Sequence, residues 1–379
     1  MKKFRFSFFV LCFCLLVFIS NAQAKDFTFA VFGDSRPTNY GNEFPPVFYQ
    51  IIEEVNAIGP KLCCFTGDLV YGYGEPPLQC EDDYIRAKAI LEKIESPVYI
   101  APGNHEYAAK EGKDVYEKLF FSPTYYSFDE NSIHFIFLDT EIPEEEGTIT
   151  GEQLNWLKED LEKNKDKLIF VFMHRPMFSL VNPDFDPNKK ESFTSKENRD
   201  LLVDLFAKYR VKAVFSGHEH AYYRKVVRDV EYITTGGGGA PMLVPPQEGG
   251  FAHYIIVKVK ENNQIDIKVY EPYHLLIKYV SLPEVNAKEL REEKIIITNA
   301  NYEDMTLEGL KVKVLKGKYE LKTDTNPPKV AMGEWGKDVP AEITSVEPIP
   351  DSPYQWIKIK AKVPNQYTSV ISIIPVVKE

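Results

Sequence analysis

Phe215-Ser216-Gly217-His218-Glu219-His220-Ala221-Tyr222-Tyr223-Arg224 is the stretch whose reading decides the fold of this chain. A run of strand formers, Lys212 to Phe215, leads into it, and two histidines follow one residue apart just past the strand end. Imidazole is the commonest protein ligand for transition metals. A His-x-His pair can turn both rings on one small volume, but it can equally be a surface or packing pair. The surrounding sequence separates these readings, because four earlier blocks also end strand-like runs in metal-ligating residue types.

Working back from the histidines, Leu168 to Met173 ends in His174-Arg175-Pro176, and Val98 to Ala101 ends in Pro102-Gly103-Asn104-His105-Glu106. Lys61 to Thr66 ends in Gly67-Asp68-Leu69-Val70-Tyr71, and Asp26 to Gly33 runs into Asp34-Ser35-Arg36. These runs are almost continuously apolar, as strands buried on both faces are. Helical spacing separates them: Val47 to Val55 stopped by Gly59-Pro60, a helix around Asp83 to Glu95, one after a Thr150-x-x-Gln153 capping box, and one capped by Thr194-Ser-Lys-Glu197. After Ala221 the pattern is strands alone, Lys225 to Thr235, Tyr254 to Val259 and Ile265 to Tyr270, with a tight turn at Gly236 to Gly239. The expected fold is α/β, two sheets packed face to face with helices outside, an αββα sandwich. Beyond about Val280 short strands alternate apolar and polar, most clearly in Gln355 to Val363. They predict a small all-β sandwich with one wet face. The expected division is 1–24, 25–280 and 281–379.

The first of these segments reads as a secretory signal peptide. Lys2, Lys3 and Arg5 precede the apolar run Phe6 to Ile19 and the small-residue site Ala22-Gln23-Ala24. Export to the periplasm or medium follows, with no transmembrane segment after cleavage. Removing three positive charges moves the net charge from -11 to about -14. Such an acidic chain has little reason to bind nucleic acid non-specifically, since a basic patch supplies that attraction. Three cysteines remain, Cys63, Cys64 and Cys80; the first two are strand neighbours facing opposite ways, and Cys80 could bridge to one of them.

Ligand sites in open α/β sheets form beyond the carboxyl ends of the strands. Five blocks therefore bring carboxylate, phenol, amide and imidazole to one edge, a mixture suited to iron, manganese or zinc and more ligands than one ion needs. The blocks resemble the calcineurin-like metallophosphoesterase superfamily, and most of all its purple acid phosphatase branch, through Gly67-Asp-Leu-Val-Tyr71, Gly103-Asn-His-Glu106 and Gly217-His-Glu-His-Ala-Tyr222. The resemblance spans roughly Phe27 to Glu271. It implies two metal ions, one held by Asp34, Asp68, Tyr71 and His220, the other by Asp68, Asn104, His174 and His218, with Asp68 as bridge. It also implies His105 beside the phosphate, helping the leaving group, and Glu106 orienting an imidazole.

Two departures stand out. Arg36 occupies the position where most of the superfamily has histidine; arginine is a poor ligand, and it is expected to reach the substrate phosphate or to form a structural ion pair. No histidine lies between His174 and His218, where the branch tends to have one. His134 and His253 are expected to be structural, and Asp139 a turn residue. The implied activity is hydrolysis of small phosphate monoesters by a hydroxide on the metal pair, with Asn104 and Arg36 on the phosphoryl oxygens. A phosphodiesterase or nucleotidase on the same scaffold is the first alternative. A surface-binding module with a vestigial metal site, its C-terminal domain contacting a surface or partner, is the second.

Overall fold

The computed structural model describes residues 26–73, 77–121, 123–186, 192–272, 274–280, 293–299, 304–324, 340–364 and 367–376. The expected signal peptide and most of the charged segment 284–294 lie outside the described residues. The elements begin β1 (Phe27–Phe32), α1 (Pro46–Ile58), β2 (Leu62–Phe65), α2 (Pro77–Leu91), β3 (Val98–Ile100) and α3 (Gly112–Leu119). They continue β4 (Tyr126–Glu130), β5 (Ile133–Phe137), α4 (Gly151–Lys163), β6 (Leu168–Phe172), α5 (Lys196–Lys208) and β7 (Ala213–Ser216). After the histidine pair come β8 (Tyr222–Val227), β9 (Val230–Thr235), β10 (Tyr254–Val259) and β11 (Ile265–Tyr270). The last part holds β12 (Leu275–Val280), β13 (Glu293–Asn299), β14 (Met305–Leu315), β15 (Tyr319–Asp324), β16 (Ala341–Pro348), β17 (Tyr354–Val363) and β18 (Tyr367–Pro375).

Two sheets carry the first half. One has the order β11-β10-β1-β2-β3, the other β4-β5-β6-β7-β9-β8. Strands β1, β2 and β3 are parallel, as are β5, β6, β7 and β9. Parallel strands point their carboxyl ends the same way, so the residues after β1, β2 and β3 share one edge, and those after β6 and β7 share the edge facing it. The faces between the sheets are filled by Phe29 and Val31 of β1 with Phe135, Phe137, Phe170, Phe172 and Phe215 of the other sheet. The Phe29 ring meets those of Phe135 and Phe170 edge-on at 5.3 and 5.1 Å. Each such side chain contributes roughly 1.5–3 kcal/mol by leaving water. Helices α4 and α5 cover the outer face of the second sheet through Leu157, Leu161, Leu202 and Phe206. Helices α1, α2 and α3 cover the first. This is the αββα arrangement, followed by a pair of all-β sheets. Cys63 and Cys64 belong to the two opposite faces of β2, and Cys63, Cys64 and Cys80 are all free and buried.

The C-terminal sheets have the orders β12-β13-β18-β15 and β14-β17-β16. Ile357, Ile359, Ala361 and Val363 of β17 face inward, and Lys358, Lys360 and Lys362 lie on the wetter face. The apolar side chains of these sheets form one cluster with those of α1, including Ile52, Val55 and Ile58. Lys311 of β14 adds an ion pair to Glu95 at 2.8 Å. Strand pairing passes from one sheet system to the other between Tyr270 and Leu275, because β12 pairs with β13.

Helix α2 runs Pro77–Leu91 where one was expected around Asp83 to Glu95, α3 and β4 were not anticipated, and three finer details also differ. The strand anticipated from Lys225 to Thr235 is a hairpin, turned at Arg228-Asp229 with φ of 51° and 62°. Positive φ at both central residues matches the right-handed twist of the flanking strands. The capping box at Thr150 does not form: the Thr150 hydroxyl goes to Glu145, and the Gln153 amide instead clamps Asp139, accepting from its N–H at 2.8 Å and donating to its carbonyl at 2.9 Å. In the next helix the cap falls on Ser195, whose Oγ accepts from Asn198 N at 3.2 Å, not on Thr194.

Candidate metal centre

The strand ends converge. Asp34 follows β1, Asp68 follows β2 and His174 follows β6, and each places a ligand atom within 4.8 Å of the other two. Asn104 Oδ1 lies 3.0 Å from His174 Nε2 and 2.8 Å from His218 Nδ1, and the two ring nitrogens are 3.0 Å apart. His220 Nε2 stands 3.6 Å from Asp34 Oδ1. His105 Nε2 stands 3.8 Å from Asp68 Oδ2, and Arg36 Nε 3.6 Å from the same oxygen.

Hydrogen bonds to carbonyls set the orientation of three imidazoles. A carbonyl oxygen only accepts, so the ring nitrogen bonded to it must carry the proton. His174 Nδ1 donates to Thr66 O at 2.8 Å, His220 Nδ1 to Pro241 O at 2.7 Å and His105 Nδ1 to Tyr71 O at 2.6 Å. Each therefore turns Nε2 toward the centre. His218 is inverted: its Nδ1 faces Asn104 and His174, and its Nε2 lies 3.4 Å from Arg175 Nη1.

The backbone is strained at the candidate ligands. Asp34, Asp68 and His218 have φ of 57°, 60° and 68°. The left-handed region costs a non-glycine residue of order 1–3 kcal/mol, least for aspartate. His218 is held there by its own N–H, which donates to Asp34 Oδ1 at 2.9 Å. Gly217 before it is required by close approach, since a Cβ would meet Asp34 Oδ2 at 2.3 Å. Gly238 and Ala240, at the end of the glycine run, donate to Gly33 O and Asp34 O at 2.9 and 2.8 Å, bringing that turn against the β1 end.

The electrostatics fit a cation. Burial, then the charge of Asp68, pushes the Asp34 carboxyl well above its usual range. Asp68 goes the other way: against burial, the charges of His174, His105 and His218 hold it low. Burial brings His174 down to about 4 and lowers His220 and His105, leaving neutral rings able to ligate. Asp34 Oδ2 is buried and accepts no hydrogen bond. A buried carboxylate oxygen without a partner is costly, and a cation would satisfy it. Carboxylate, amide and imidazole donors together suit iron, manganese or zinc.

Glu106 is not placed as expected. It touches no imidazole; its carboxylate accepts from the N–H groups of Asp68, Leu69, Val70 and Gly103 at 2.9, 2.9, 3.2 and 2.6 Å. It thus shapes the turn that presents Asp68. Tyr71 supplies its carbonyl to His105, with its ring 6.4 Å from the imidazole. His134 lies away from this edge between Asp129 and Asp160 at 2.8 and 2.7 Å. His253 is fully buried with Nδ1 on Phe251 O. Asp139 accepts from Tyr107, Thr124 and Glu141 N in a buried turn. Two features had no sequence signal. Arg175 forms a buried pair with Glu141 at 2.7 Å beside His218, and Glu219 accepts from Ser179 Oγ and Leu180 N, tying the loop after β6 to the histidine pair.

A model of the calcineurin-like phosphoesterase family matches residues 27–222, more than half of the chain. The chain belongs to the calcineurin-like phosphoesterase family. Among its relatives is purple acid phosphatase 21 of Arabidopsis thaliana, 29% identical over 238 residues, covering 56% of this chain and 49% of the relative. Another is the "Probable glycerophosphodiester phosphodiesterase" of Arcobacter nitrofigilis, 28% identical over 179 residues, covering 45% and 62%. The matched parts thus span only 49% and 62% of these relatives' lengths. The solved purple acid phosphatase of yellow lupin seeds shares the fold, with a TM-score of 0.53 and 20% identity over 66% of this chain and 52% of that one. No helix among its described residues is long and apolar enough to cross a membrane.

Proposed function

We propose that the protein hydrolyses phosphate monoesters with two metal ions at the β-strand edge, Asp34, Asp68, Tyr71 and His220 holding one and Asp68, Asn104, His174 and His218 the other. The observation that carries this is the convergence of Asp34, Asp68 and His174 within 4.8 Å around a carboxylate oxygen that has no hydrogen-bond partner. When bound, such a pair of ions supplies a nucleophile at neutral pH and polarises the phosphoryl group. Their identity is proposed to be iron, manganese or zinc.

The chain's own groups do the rest. Asn104 presents its side-chain oxygen to the centre and so leaves its NH2 free to donate to a phosphoryl oxygen. Arg36, its side chain 17% exposed beside Asp68, offers a fixed positive charge to the same oxygens. That charge supports the monoester reading, because a monoester dianion gains more from it than a diester. His105, held by Tyr71 O, directs Nε2 into the centre; when the ring takes up a second proton, which its burial-lowered pKa confines to the acid side, Nε2 can hand that proton to the departing alcohol. The glycerophosphodiester phosphodiesterase relative supports the diester alternative. Initial rates on mono- and bis-nitrophenyl phosphate separate the two readings.

Asp68→Ala is expected to lose both metal and activity. His105→Ala is expected to keep its metal and lose roughly 10²–10⁴-fold in kcat. Metal analysis of both variants beside the ester assay checks the roles, and a metal-free His105→Ala protein would contradict them. Residues 1–24 are proposed to direct export. The core that the C-terminal strands share with α1 supports a buttressing role for them ahead of a surface-binding one.

A further inference from the structure

Tyr71, Gly72 and Tyr73 are wrapped around His105. The first gives its carbonyl to His105 Nδ1 at 2.6 Å. The second has φ of 78° and passes so close that a Cβ would come 1.8 Å from His105 O. The third sets its ring edge-on to the imidazole, with centroids 5.0 Å apart and planes at 89°, and meets the Tyr71 ring at 5.6 Å. Gly72 N also donates to Asp83 Oδ2 at 3.4 Å, tying the segment to α2. Tyr73 is therefore held from behind by two rings.

Its other side faces water. Tyr73 is 54% exposed, and Trp356 at 37% is the next most open aromatic side chain among the described residues. Leaving a fixed aromatic ring uncovered forgoes the gain of burying it. Here the uncovered ring adjoins the imidazole read above as serving the departing alcohol. On the side of His220, Leu243 is also open, at 49%, and its N–H donates to His220 O at 3.2 Å. Two loops of the metal edge thus end in exposed apolar side chains. A small polyol would gain nothing from either.

We propose that Tyr73 is a specificity-determining wall for the leaving group, and that the preferred substrates are phosphate esters whose alcohol carries a planar aromatic ring, an aryl or nucleobase-bearing alcohol. This rests on the phosphoester reading of the site. An aromatic side chain stacks on any such ring with little regard to its substituents, so the wall selects a class, not one compound.

Titration calorimetry of the metal-loaded protein with phenylphosphonate and methylphosphonate tests the wall without turnover. The wild-type protein is expected to bind phenylphosphonate roughly tenfold tighter, the size of one stacking contact. Tyr73→Ala should bind the two equally, and Tyr73→Phe should keep the preference. No preference in the wild type, or a preference that survives in Tyr73→Ala, overturns the proposal. A uniform loss of affinity for both ligands also overturns it, since that is the mark of a ring that only supports His105. Failure of the phosphoester reading looks different: nitrophenyl phosphate is not turned over by the wild type, while the phosphonate comparison still decides about Tyr73.

Discussion

An aspartate enters the left-handed region at small cost because its short side chain can bond locally, whereas the larger histidine pays more than glycine there. His218 nevertheless stands there at φ 68°, between Gly217 and an N–H bond to Asp34. The same residue presents Nδ1, not Nε2, to Asn104 and His174. His218→Gly should therefore leave the metal-free protein as stable as the wild type or more stable by about 1 kcal/mol, while metal affinity falls. Urea unfolding of both proteins without metal checks this; a marked loss of stability would mean that the ring packs structurally. Glu106 supplies a second case. Its two oxygens take four backbone N–H groups, so Glu106→Gln turns an amide NH2 toward two of those donors. A cost of about 3 kcal/mol is expected, read from the same unfolding curves. Burial, then the Asp68 charge, pushes the Glu106 carboxyl up to about 7, against the N–H donors that favour its charged form.

Among the elements, α4 shows how a sequence signature can serve another purpose. Thr150-x-x-Gln153 has the form of a capping box, yet Gln153 is buried against Asp139 at the end of β5. Gln153→Ala would leave the buried N–H and carbonyl of Asp139 without those partners, at about 1–3 kcal/mol. Thr150→Ala removes no cap bond and should cost clearly less. Thermal melts of the two variants give the order, and the reverse order would restore the capping box. The five strand-and-turn blocks that carry the candidate ligands were legible because each is a strand of nearly continuous apolar residues ending in glycine, proline or a polar turn. The β8–β9 hairpin was not, since Arg228-Asp229 lacks the Asn-Gly or Asp-Gly chemistry that marks such turns.

For the molecule as a whole, the strands after Tyr270 share an apolar cluster with α1. Leu275, Ile297, Leu307 and Ile357 belong to one apolar cluster with Ile52 and Val55 of α1. Truncation before Leu275 should uncover that face of α1 and lower stability by several kcal/mol, with poor soluble yield. A truncated protein that melts like the full chain would make the sandwich an appendage and revive the surface-binding role. Metal adds a second global term. Ligands that bind only the folded state stabilise by about 2.7 kcal/mol at a hundred times Kd. Chelation should lower the Tm of the wild type and leave that of Asp68→Ala unchanged.

The amino-acid order alone was enough to name two packed sheets, the strand ends that meet at one edge and the family they resemble, because apolar runs and turn chemistry are local properties. The choice of ring nitrogen on each histidine, the partner of Glu106, the Tyr71–Tyr73 wrap around His105 and the seating of the β-sandwich on α1 were decided only on folding. These depend on groups as far apart as Asp34 and His218, separated by 184 positions, whose distance in space no local pattern encodes.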